Sequence, residues 1–146
     1  MPDGFPVRES AAPEFAEEEL MDREELERLI SENYGAEAEY PWIKYPNYAV
    51  FRHKGNRKWF ALVADVPKGK LGLPGAGVLD VADFKCSPLL IGSLLGEKGF
   101  FPAYHMNKAN WIAVALDGSA PDEEIKALLD WSYGATAPKA RKNPKA

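Results

Sequence analysis

The sequence predicts a two-layer α+β domain in which one antiparallel sheet carries helices on a face. Segments with the apolar spacing of a helix and segments of period two follow each other in the order helix, three or four strands, helix, two strands, helix. No segment of the sequence repeats. The 146 residues, of which 46% are hydrophobic, are enough for one core without a disulfide or a structural metal.

The first helix is predicted between Asp22 and Gly35. Asp22 and Glu25 have the spacing of a capping box, and Gly35 supplies the C-terminal stop. Charged residues occupy the outer side of this helix. Its apolar face is expected to consist of Leu26, Leu29 and Ile30.

Extended segments follow the first helix. They are short, they alternate in polarity or are rich in aromatic and β-branched residues, and turn residues separate them. Gly55-Asn56 is the expected reversal of one hairpin, and the glycine-rich residues 72–77 form a second loop. The sequence therefore predicts a meander of three or four strands. The strand segments are residues 37–40, 48–52, 59–64 and 78–84.

A second helix is predicted over residues 89–95, after a capping Ser87 and with Pro88 in the first turn. This helix is nearly uncharged and apolar on several faces, so we expect it to be buried. Two further strands, residues 100–104 and 111–116, complete the sheet.

The last helix is predicted to begin around Pro121, with a cap at Ser119 or Ala120, and to end at Gly134. Three acidic residues lie near its positive N-terminal end. Its inner face is expected to consist of Ile125, Leu128, Leu129 and Ser132.

Charge divides the chain into three parts. Residues 1–20 carry six acids against one base, and residues 135–146 carry four bases and no acid. We interpret residues 1–20 as an acidic flexible leader, residues 21–134 as a single domain and residues 135–146 as a basic flexible tail. A net charge of −4 disfavours strong nonspecific binding to nucleic acid, but residues 41–85 hold eight bases against three acids, so phosphate contact stays open.

The composition favours the cytoplasm. The apolar segments are about half the roughly 20 residues that a membrane helix needs, so no membrane partner is expected. The first residues lack the layout of a secretory signal, and the single cysteine, Cys86, cannot form an internal disulfide.

Three segments carry a resemblance to a known family. They are Lys85-Cys86-Ser87-Pro88, the connection from Pro102 to Trp111, and residues 116–124 with the following Ser132-Tyr133. In order and spacing they resemble the MmcQ/YjbR family of small bacterial proteins, over roughly residues 21–134. The resemblance implies an α+β fold of the same element order and, through a double-wing motif of two hairpin-like projections, DNA binding. Asn110 stands where many members have a His before the Trp.

The basic loops are the candidate nucleic-acid site. Cations on two loops, flanked by Tyr48 and Trp59, would straddle phosphates and offer stacking surfaces. None of the predicted helices has the charge of a recognition helix for the major groove, so contacts would be mostly to phosphate and weakly specific. The alternative is that these charges keep the hairpin tips soluble and unpaired. The candidates are Arg52, Lys54, Arg57, Lys58, Lys68 and Lys70.

The connection between the last two strands is the candidate small-ligand site. Its polar side chains would converge on a small anion beside two aromatic rings. The alternative is structural, because Asn favours left-handed turns and a buried Trp anchors a core. The candidates are Tyr104, His105, Asn107, Lys108 and Trp111.

No catalytic residue, metal site or cofactor is expected. His53 and His105 are far apart in sequence, the spacing of a zinc site is absent, and the glycine-rich loop lacks the Gly-Lys-Ser/Thr of a phosphate-binding loop. Cys86 lies between Phe84 and an apolar helix, which favours an inert buried thiol over a nucleophile.

Three functions therefore stay open. The first is weak, low-specificity DNA binding through the basic loops, with the phosphate backbone as partner. The second is a protein-interaction or chaperone-like module that uses the sheet face, since the element order is also that of small secretion chaperones. The third is binding of a small anionic ligand at the His105 connection. A monomer or a weak homodimer is expected.

Overall fold

Three helices and five strands form within residues 21–139, which are the residues that the computed structural model describes. The predicted α+β class and element order are confirmed. The predicted acidic leader and residues 140–146 of the predicted basic tail lie outside the described residues. In chain order the elements are α1 (Arg23–Tyr34), β1 (Ala49–Arg52), β2 (Trp59–Pro67), β3 (Val78–Lys85), α2 (Pro88–Leu94), β4 (Phe100–Pro102), β5 (Trp111–Ala115) and α3 (Asp122–Thr136).

The first two helices begin at the capping residues that the sequence predicts. The carboxylate of Asp22 accepts a hydrogen bond from the backbone N–H of Glu25 at 2.8 Å. Gly35 ends α1 in the left-handed conformation, with a φ of 66°, which suits a residue without a side chain. The hydroxyl of Ser87 accepts from the N–H of Leu90 at the start of α2. These local signals are sufficient because capping involves neighbours in sequence.

All five strands belong to one antiparallel sheet in the order β1-β2-β3-β5-β4. A bulge interrupts the first pair. Phe51 is opposite Ala61 but Arg52 is opposite Trp59, so Phe60 is the additional residue. Because directly opposed residues share a face, Arg52 and Trp59 lie on the same side of the sheet.

Several strand limits differ from the predicted ones. Residues 37–40 do not form a strand, because only the single bridge between Glu39 and Val50 is present, so the meander has three strands. β4 ends at Pro102, two residues earlier than predicted, since proline has no N–H with which to continue the pairing. β5 ends at Ala115, one residue earlier than predicted.

The β1–β2 hairpin reverses where the sequence predicts, but with a different backbone geometry. The left-handed residue is Arg57, with a φ of 64°, and not Gly55 or Asn56. The side chain of Asn56 stabilises the turn, because its Oδ1 accepts from the N–H of Lys58 at 3.0 Å. Its Nδ2 donates to the carbonyl of Thr136 at 2.9 Å, which ties the hairpin to the end of α3.

The prediction that the second helix is buried is wrong for Leu89 and Leu90. Leu89 is 90% exposed and Leu90 is 44% exposed, whereas Ile91 and Leu94 are buried. A helix of seven residues presents one narrow face to a sheet, so apolar side chains all around it cannot be covered together.

The last helix continues past its predicted end at Gly134 and reaches Thr136, and Pro121 is its N-cap. The prediction was wrong because tertiary contacts hold the additional residues. The hydroxyl of Thr136 donates to the carbonyl of Ser132 at 2.7 Å and lies 2.9 Å from Nε2 of His53. None of the helices within residues 21–139 has the length and hydropathy needed to cross a membrane.

The sheet buries apolar side chains on both faces. The helices cover one face, and the predicted inner residues of α3 are buried there. Loops and the short 3₁₀ helix Lys68–Leu71, but none of the described α-helices, cover the other face, which we call the open face. Its buried residues are Tyr48, Val50, Leu62, Ala64, Val66, Leu79, Val81 and Ala115.

Candidate ligand site on the open face

An aromatic pocket of about 210 Å³ lies on the open face of the sheet. Strand residues form its floor, and two loops that precede β1 and β5 supply its walls. We call this cavity the aromatic pocket. Its lining residues are Trp42, Tyr45, Tyr48, Trp59, Leu62 and His105.

The strands direct three of these side chains to one side. Tyr48 precedes β1 and shares the parity of Val50, which is buried on the open face. Leu62 lies opposite Val50 in β2. The bulge at Phe60 shifts the alternation by one position, and this shift places Trp59 on the same face as Leu62.

Aromatic contacts orient the walls of the pocket. The ring of Trp42 meets Tyr48 edge-on, with centroids 6.1 Å apart, and meets Trp59 edge-on at 5.6 Å. Tyr45 stacks on Tyr48 with a centroid distance of 4.7 Å. Edge-to-face and stacked pairs are the favoured aromatic geometries, so the rings support one another in the absence of a ligand.

A hydrogen bond connects the pocket floor to the β4–β5 connection. The hydroxyl of Tyr48 lies 2.7 Å from Nε2 of His105. Burial, followed by the negative charge of Asp65, raises the pKa of Tyr48, while burial and the nearby ammonium of Lys108 lower the pKa of His105. Both side chains are therefore neutral around pH 7, and the tautomer of the imidazole determines which of the two groups donates.

Asp83 places a buried carboxyl group on the open face, beside Leu62 of the pocket floor. It lies in the middle of β3, between Leu62 of β2 and Ala113 of β5, and it is 2% exposed. Its Oδ1 has no hydrogen-bond partner among the described residues. Burial raises its pKa to about 7, although the positive charge of Lys108 acts in the opposite direction. Such a group is a functional candidate, since structures rarely leave a buried carboxyl unpartnered.

The structure brings two of the five residues of the predicted anion site to the aromatic pocket. Of the five candidates on the β4–β5 connection, His105 lines the pocket and Tyr104 packs edge-on against it at 4.3 Å. The carboxamide of Asn107 accepts from the N–H of Ala109 and closes a turn, and Trp111 is buried. Lys108 is exposed and does not line the cavity. Asn107 thus closes its turn through the side chain and without the left-handed backbone that the sequence suggests, and Trp111 is buried as the structural alternative expects.

The basic loops lie at opposite ends of β2. The hairpin with Lys54 and Lys58 precedes this strand, and the loop with Lys68 and Lys70 follows it. Nine strand residues separate the loops by roughly 30 Å, so they cannot enclose one phosphate group between them. The predicted site is thus two separate groups of cations.

Two of the hairpin cations are engaged within the protein. The guanidinium of Arg52 pairs with Glu39 at 3.1 Å and lies 5.7 Å from the ring centroid of Trp59. Arg57 reaches the same carboxylate at 3.6 Å. Lys54 and Lys58 are exposed. Glu39 therefore offsets part of the positive charge that the sequence assigns to this hairpin.

The remaining groups that could be reactive are the thiol of Cys86 and the His, Asp and Glu side chains. Cys86 is buried, and burial raises the pKa of its thiol, as the inert interpretation predicts. No three His, Cys, Asp or Glu side chains come together within residues 21–139 in a way that would hold a metal ion.

Sequence reasoning missed most of the pocket. Trp42 and Tyr45 lie in an irregular segment without periodicity, so no pattern predicts which way they point. A signal for Asp83 was present, because it interrupts the apolar alternation of β3 at a position on the open face.

The chain matches the family model described as YjbR over residues 31–135. It is 39% identical over 117 residues to YyaQ, an uncharacterized protein of Bacillus subtilis, and the match covers 80% of this chain and 99% of that protein. A shorter match, 56% identical over 32 residues, relates it to the uncharacterized protein YjbR of Escherichia coli, with 22% of this chain and 27% of that protein covered.

Solved structures share the fold. A crystal structure of a protein from Pseudomonas syringae is 43% identical with a TM-score of 0.78, and the match covers 80% of this chain and 100% of that one. A crystal structure of a Deinococcus radiodurans protein is 21% identical with a TM-score of 0.58, with 79% and 78% covered, and shows likeness of fold alone.

Proposed function

Because this chain belongs to the YjbR family, we propose a function from the geometry of its own residues: it binds a small ligand in the aromatic pocket. The observation that carries the proposal is an open cavity whose wall is made almost entirely of aromatic rings. A purely structural cluster would close over itself, since protein interiors are packed to the density of organic crystals.

The exposure of the walls supports the proposal. Tyr45 is 47% exposed although it stacks on buried Tyr48, so it forms a rim and not a core contact. Ile43, on the same loop, is 98% exposed. Polar groups also converge at the floor, where the Tyr48–His105 hydrogen bond lies beside an apolar Leu62. An apolar cavity with a few placed polar groups is the usual form of a small-molecule site.

A fragment titration followed by NMR tests this function. Small cationic, neutral and anionic aromatic or alkyl fragments are added to the full chain, and the indole N–H signals are observed. We expect the signals of Trp42 and Trp59 to shift and that of Trp131, an exposed residue of α3, to stay. The proposal is overturned if no fragment shifts the pocket signals.

Variants separate the pocket from other tryptophan sites. Trp42→Leu removes one wall and is expected to abolish the shifts. Trp131→Leu is the control, because it removes an exposed indole from a helix that does not line the pocket. Binding that survives Trp42→Leu and is lost in Trp131→Leu would contradict the assignment.

We also propose nucleic-acid contact at the β1–β2 hairpin as a second function. The observation in its favour is the course of the chain after α3. The ring of Pro138 lies so close to Gly55 that an added Cβ would be 2.9 Å from it, and Asn56 holds the carbonyl of Thr136. Lys139 therefore follows directly beside the hairpin, and the sequence continues with Arg141, Lys142 and Lys145. Phosphate is the expected partner for this positive charge.

Fluorescence anisotropy with a labelled duplex and a single strand, measured at several salt concentrations, tests the second function. Binding through phosphate should weaken steeply with salt and should fall in Lys54→Ala/Lys58→Ala. Lys68→Ala/Lys70→Ala, at the other end of β2, is the control with the same loss of charge. If the two double variants weaken binding equally, the nucleic acid does not prefer the β1–β2 hairpin, and this proposal is contradicted.

The protein-interaction hypothesis is now directed at the rim of the aromatic pocket. Loop side chains, among them Trp42, Tyr104 and Met106, pack over the strands of the open face, so a partner would meet the rim of the pocket and not the bare sheet. Its exposed apolar residues are Tyr40, Ile43 and Tyr45. The solution mass, compared between the full chain and Ile43→Ser, is the measurement that would favour or disfavour self-association there.

A further inference from the structure

We infer that the ligand of the aromatic pocket is a small organic cation, an alkylammonium group whose charge is balanced by the buried carboxylate of Asp83. This inference rests on the proposed function, because it names the chemical class that the pocket selects. It replaces the anionic ligand that the residues of the β4–β5 connection suggest.

The wall chemistry favours a cation. The faces of Trp and Tyr rings carry negative potential and attract ammonium and guanidinium groups within about 6 Å of the centroid. Four of the six lining residues are of these two types. Trp59 already shows this preference, since the guanidinium of Arg52 lies 5.7 Å from its ring centroid.

The charges around the pocket favour a cation as well. No Lys or Arg is among the residues that line it, and the pKa of His105 is lowered, so the imidazole is neutral at pH 7. The negative charges of Asp65 and Asp83 both raise the pKa of Tyr48, which means that both act at the pocket floor. A wall without positive charge that lies near two carboxyl groups disfavours anions and favours cations.

Asp83 is the second, independent observation. It is directly opposite Leu62, a lining residue, and the two side chains share the open face. The carboxyl group is 2% exposed, and its Oδ1 is without a hydrogen-bond partner in the described part of the chain. A buried ionised carboxylate is unfavourable unless it is paired. A cation in the pocket, above Leu62, supplies the missing charge on the same face of the sheet.

Lys108 is the competing charge. Its ammonium acts on both Asp83 and His105, but the side chain is exposed. A bound ligand cation would share the field of Asp83 with Lys108. Removing the lysine charge should therefore strengthen cation binding, and removing the carboxylate should weaken it.

The size of the cavity limits the ligand. About 210 Å³ is below the roughly 300–1,000 Å³ of sites for drug-sized molecules, so one alkylammonium head group is the appropriate size. A free quaternary amine and a methylated lysine side chain of another protein share this chemistry. The experiment below distinguishes these two sources.

Calorimetric titration of the full chain at pH 8, where Asp83 is ionised, compares three isosteric probes. They are choline, the neutral alcohol in which a tert-butyl group replaces the trimethylammonium group, and the anion tert-butylacetate. We expect choline to bind about tenfold more tightly than the neutral alcohol, and tert-butylacetate to bind least. Acetylated trimethyllysine amide is the fourth probe. Tighter binding than that of choline assigns the ligand to a protein side chain, and weaker binding assigns it to a free amine.

Two substitutions test the role of the charge. Asp83→Asn should weaken the binding of choline about fivefold and leave the affinity for the neutral alcohol unchanged, because only the cation is attracted by the carboxylate. Lys108→Met should strengthen the binding of choline, because it removes a competing positive charge. Asp83→Asn removes an unpaired buried charge and keeps the shape of the side chain, so the variant is expected to fold.

The outcomes separate the inference from the proposed function. If the neutral alcohol binds as tightly as choline and Asp83→Asn changes neither affinity, the cation inference is wrong and ligand binding by the pocket stands. If tert-butylacetate binds best, the original anionic hypothesis is restored. If none of these probes binds and the broader fragments also leave Trp42 and Trp59 unshifted, both proposals fail together.

Discussion

The hydroxyl of Tyr48 lies 2.7 Å from Nε2 of His105, although the two residues are 57 positions apart in sequence. This contact attaches the β4–β5 connection, which carries the family motif, to the first strand of the meander. It also places His105 at the edge of the aromatic pocket. The motif connection therefore contributes His105 to the candidate site, while Asn107 closes a turn and Lys108 adds a positive charge nearby.

Removal of the Tyr48 hydroxyl tests this attachment. Tyr48→Phe should lower the free energy of unfolding by about 1 kcal/mol, because a partly buried hydrogen bond is lost while the ring remains. The pKa of His105 should rise towards its ordinary value as the imidazole becomes more exposed, and NMR titration of its ring protons measures this change.

Tyr45→Phe is the matched control for that experiment. Tyr45 stacks on Tyr48, and its hydroxyl makes no hydrogen bond within the described residues, so that hydroxyl should contribute little to stability. Equal losses in the two variants would argue against a special role for the Tyr48–His105 contact.

Asp83 makes the stability of the protein depend on pH. Its pKa is about 7 in the folded protein and 3.8 in the unfolded chain, so the folded form retains a proton that the unfolded form releases. The favourable contribution of the protonated group is complete below pH 3.8 and is lost as the pH rises to about 7. The difference of about three pKa units corresponds to at most roughly 4 kcal/mol.

Urea unfolding of the natural chain and of Asp83→Asn, at pH 4.5 and at pH 8, measures this effect. The free energy of unfolding of Asp83→Asn, relative to that of the natural chain, should be higher at pH 8 than at pH 4.5. Asp80→Asn, three residues earlier on β3 and partly exposed, controls for general charge effects. Stability differences that are the same at both pH values would refute the assignment to Asp83.

Ser132 joins α3 to two strands. Its hydroxyl donates to the carbonyl of Phe60 in β2 at 2.7 Å and accepts from the N–H of Lys85 in β3 at 2.9 Å. Ser132→Ala leaves two buried backbone groups without partners, and we expect a loss of about 2 kcal/mol or more in the free energy of unfolding. Chemical denaturation gives this value directly. Ser93→Ala, on the exposed side of α2, should change it by less than about 0.5 kcal/mol.

The short helix α2 offers a test of which of its leucines stabilise the core. Leu89→Gln should be within about 0.5 kcal/mol of the natural chain, because the side chain is 90% exposed. Leu94→Ala should cost about 2–5 kcal/mol, since Leu94 is buried in the main core. Thermal unfolding of the two variants distinguishes the cases. A large loss on Leu89→Gln would indicate that something covers this helix in solution.

Much of the fold could be predicted because its signals are local. Asp22 and Ser87 cap their helices through residues three positions later, and Gly35 ends α1 through its own backbone freedom. The errors occur where contacts with residues distant in sequence determine the local structure. Thr136 extends α3 because it reaches His53, and Leu89 stays exposed because no neighbour in the described residues covers it.

The candidate site could be predicted only in part. His105 was singled out from its motif, but the partners that surround it come from the irregular residues 40–47 and from a bulge. The sequence shows that the positive residues lie in loop segments, but it does not show that Glu39 pairs with Arg52 and Arg57. Ion pairs between distant residues leave no trace in local composition.

By itself, the sequence determined the α+β class, the order of the elements and the family motif, since periodicity, caps and turn residues act over a few positions. Only the tertiary structure decided that the two basic loops lie at opposite ends of β2 and that four aromatic rings meet beside His105. The physical reason is that strand pairing brings together residues far apart in sequence. A single bulge at Phe60 then selects which of them share a face.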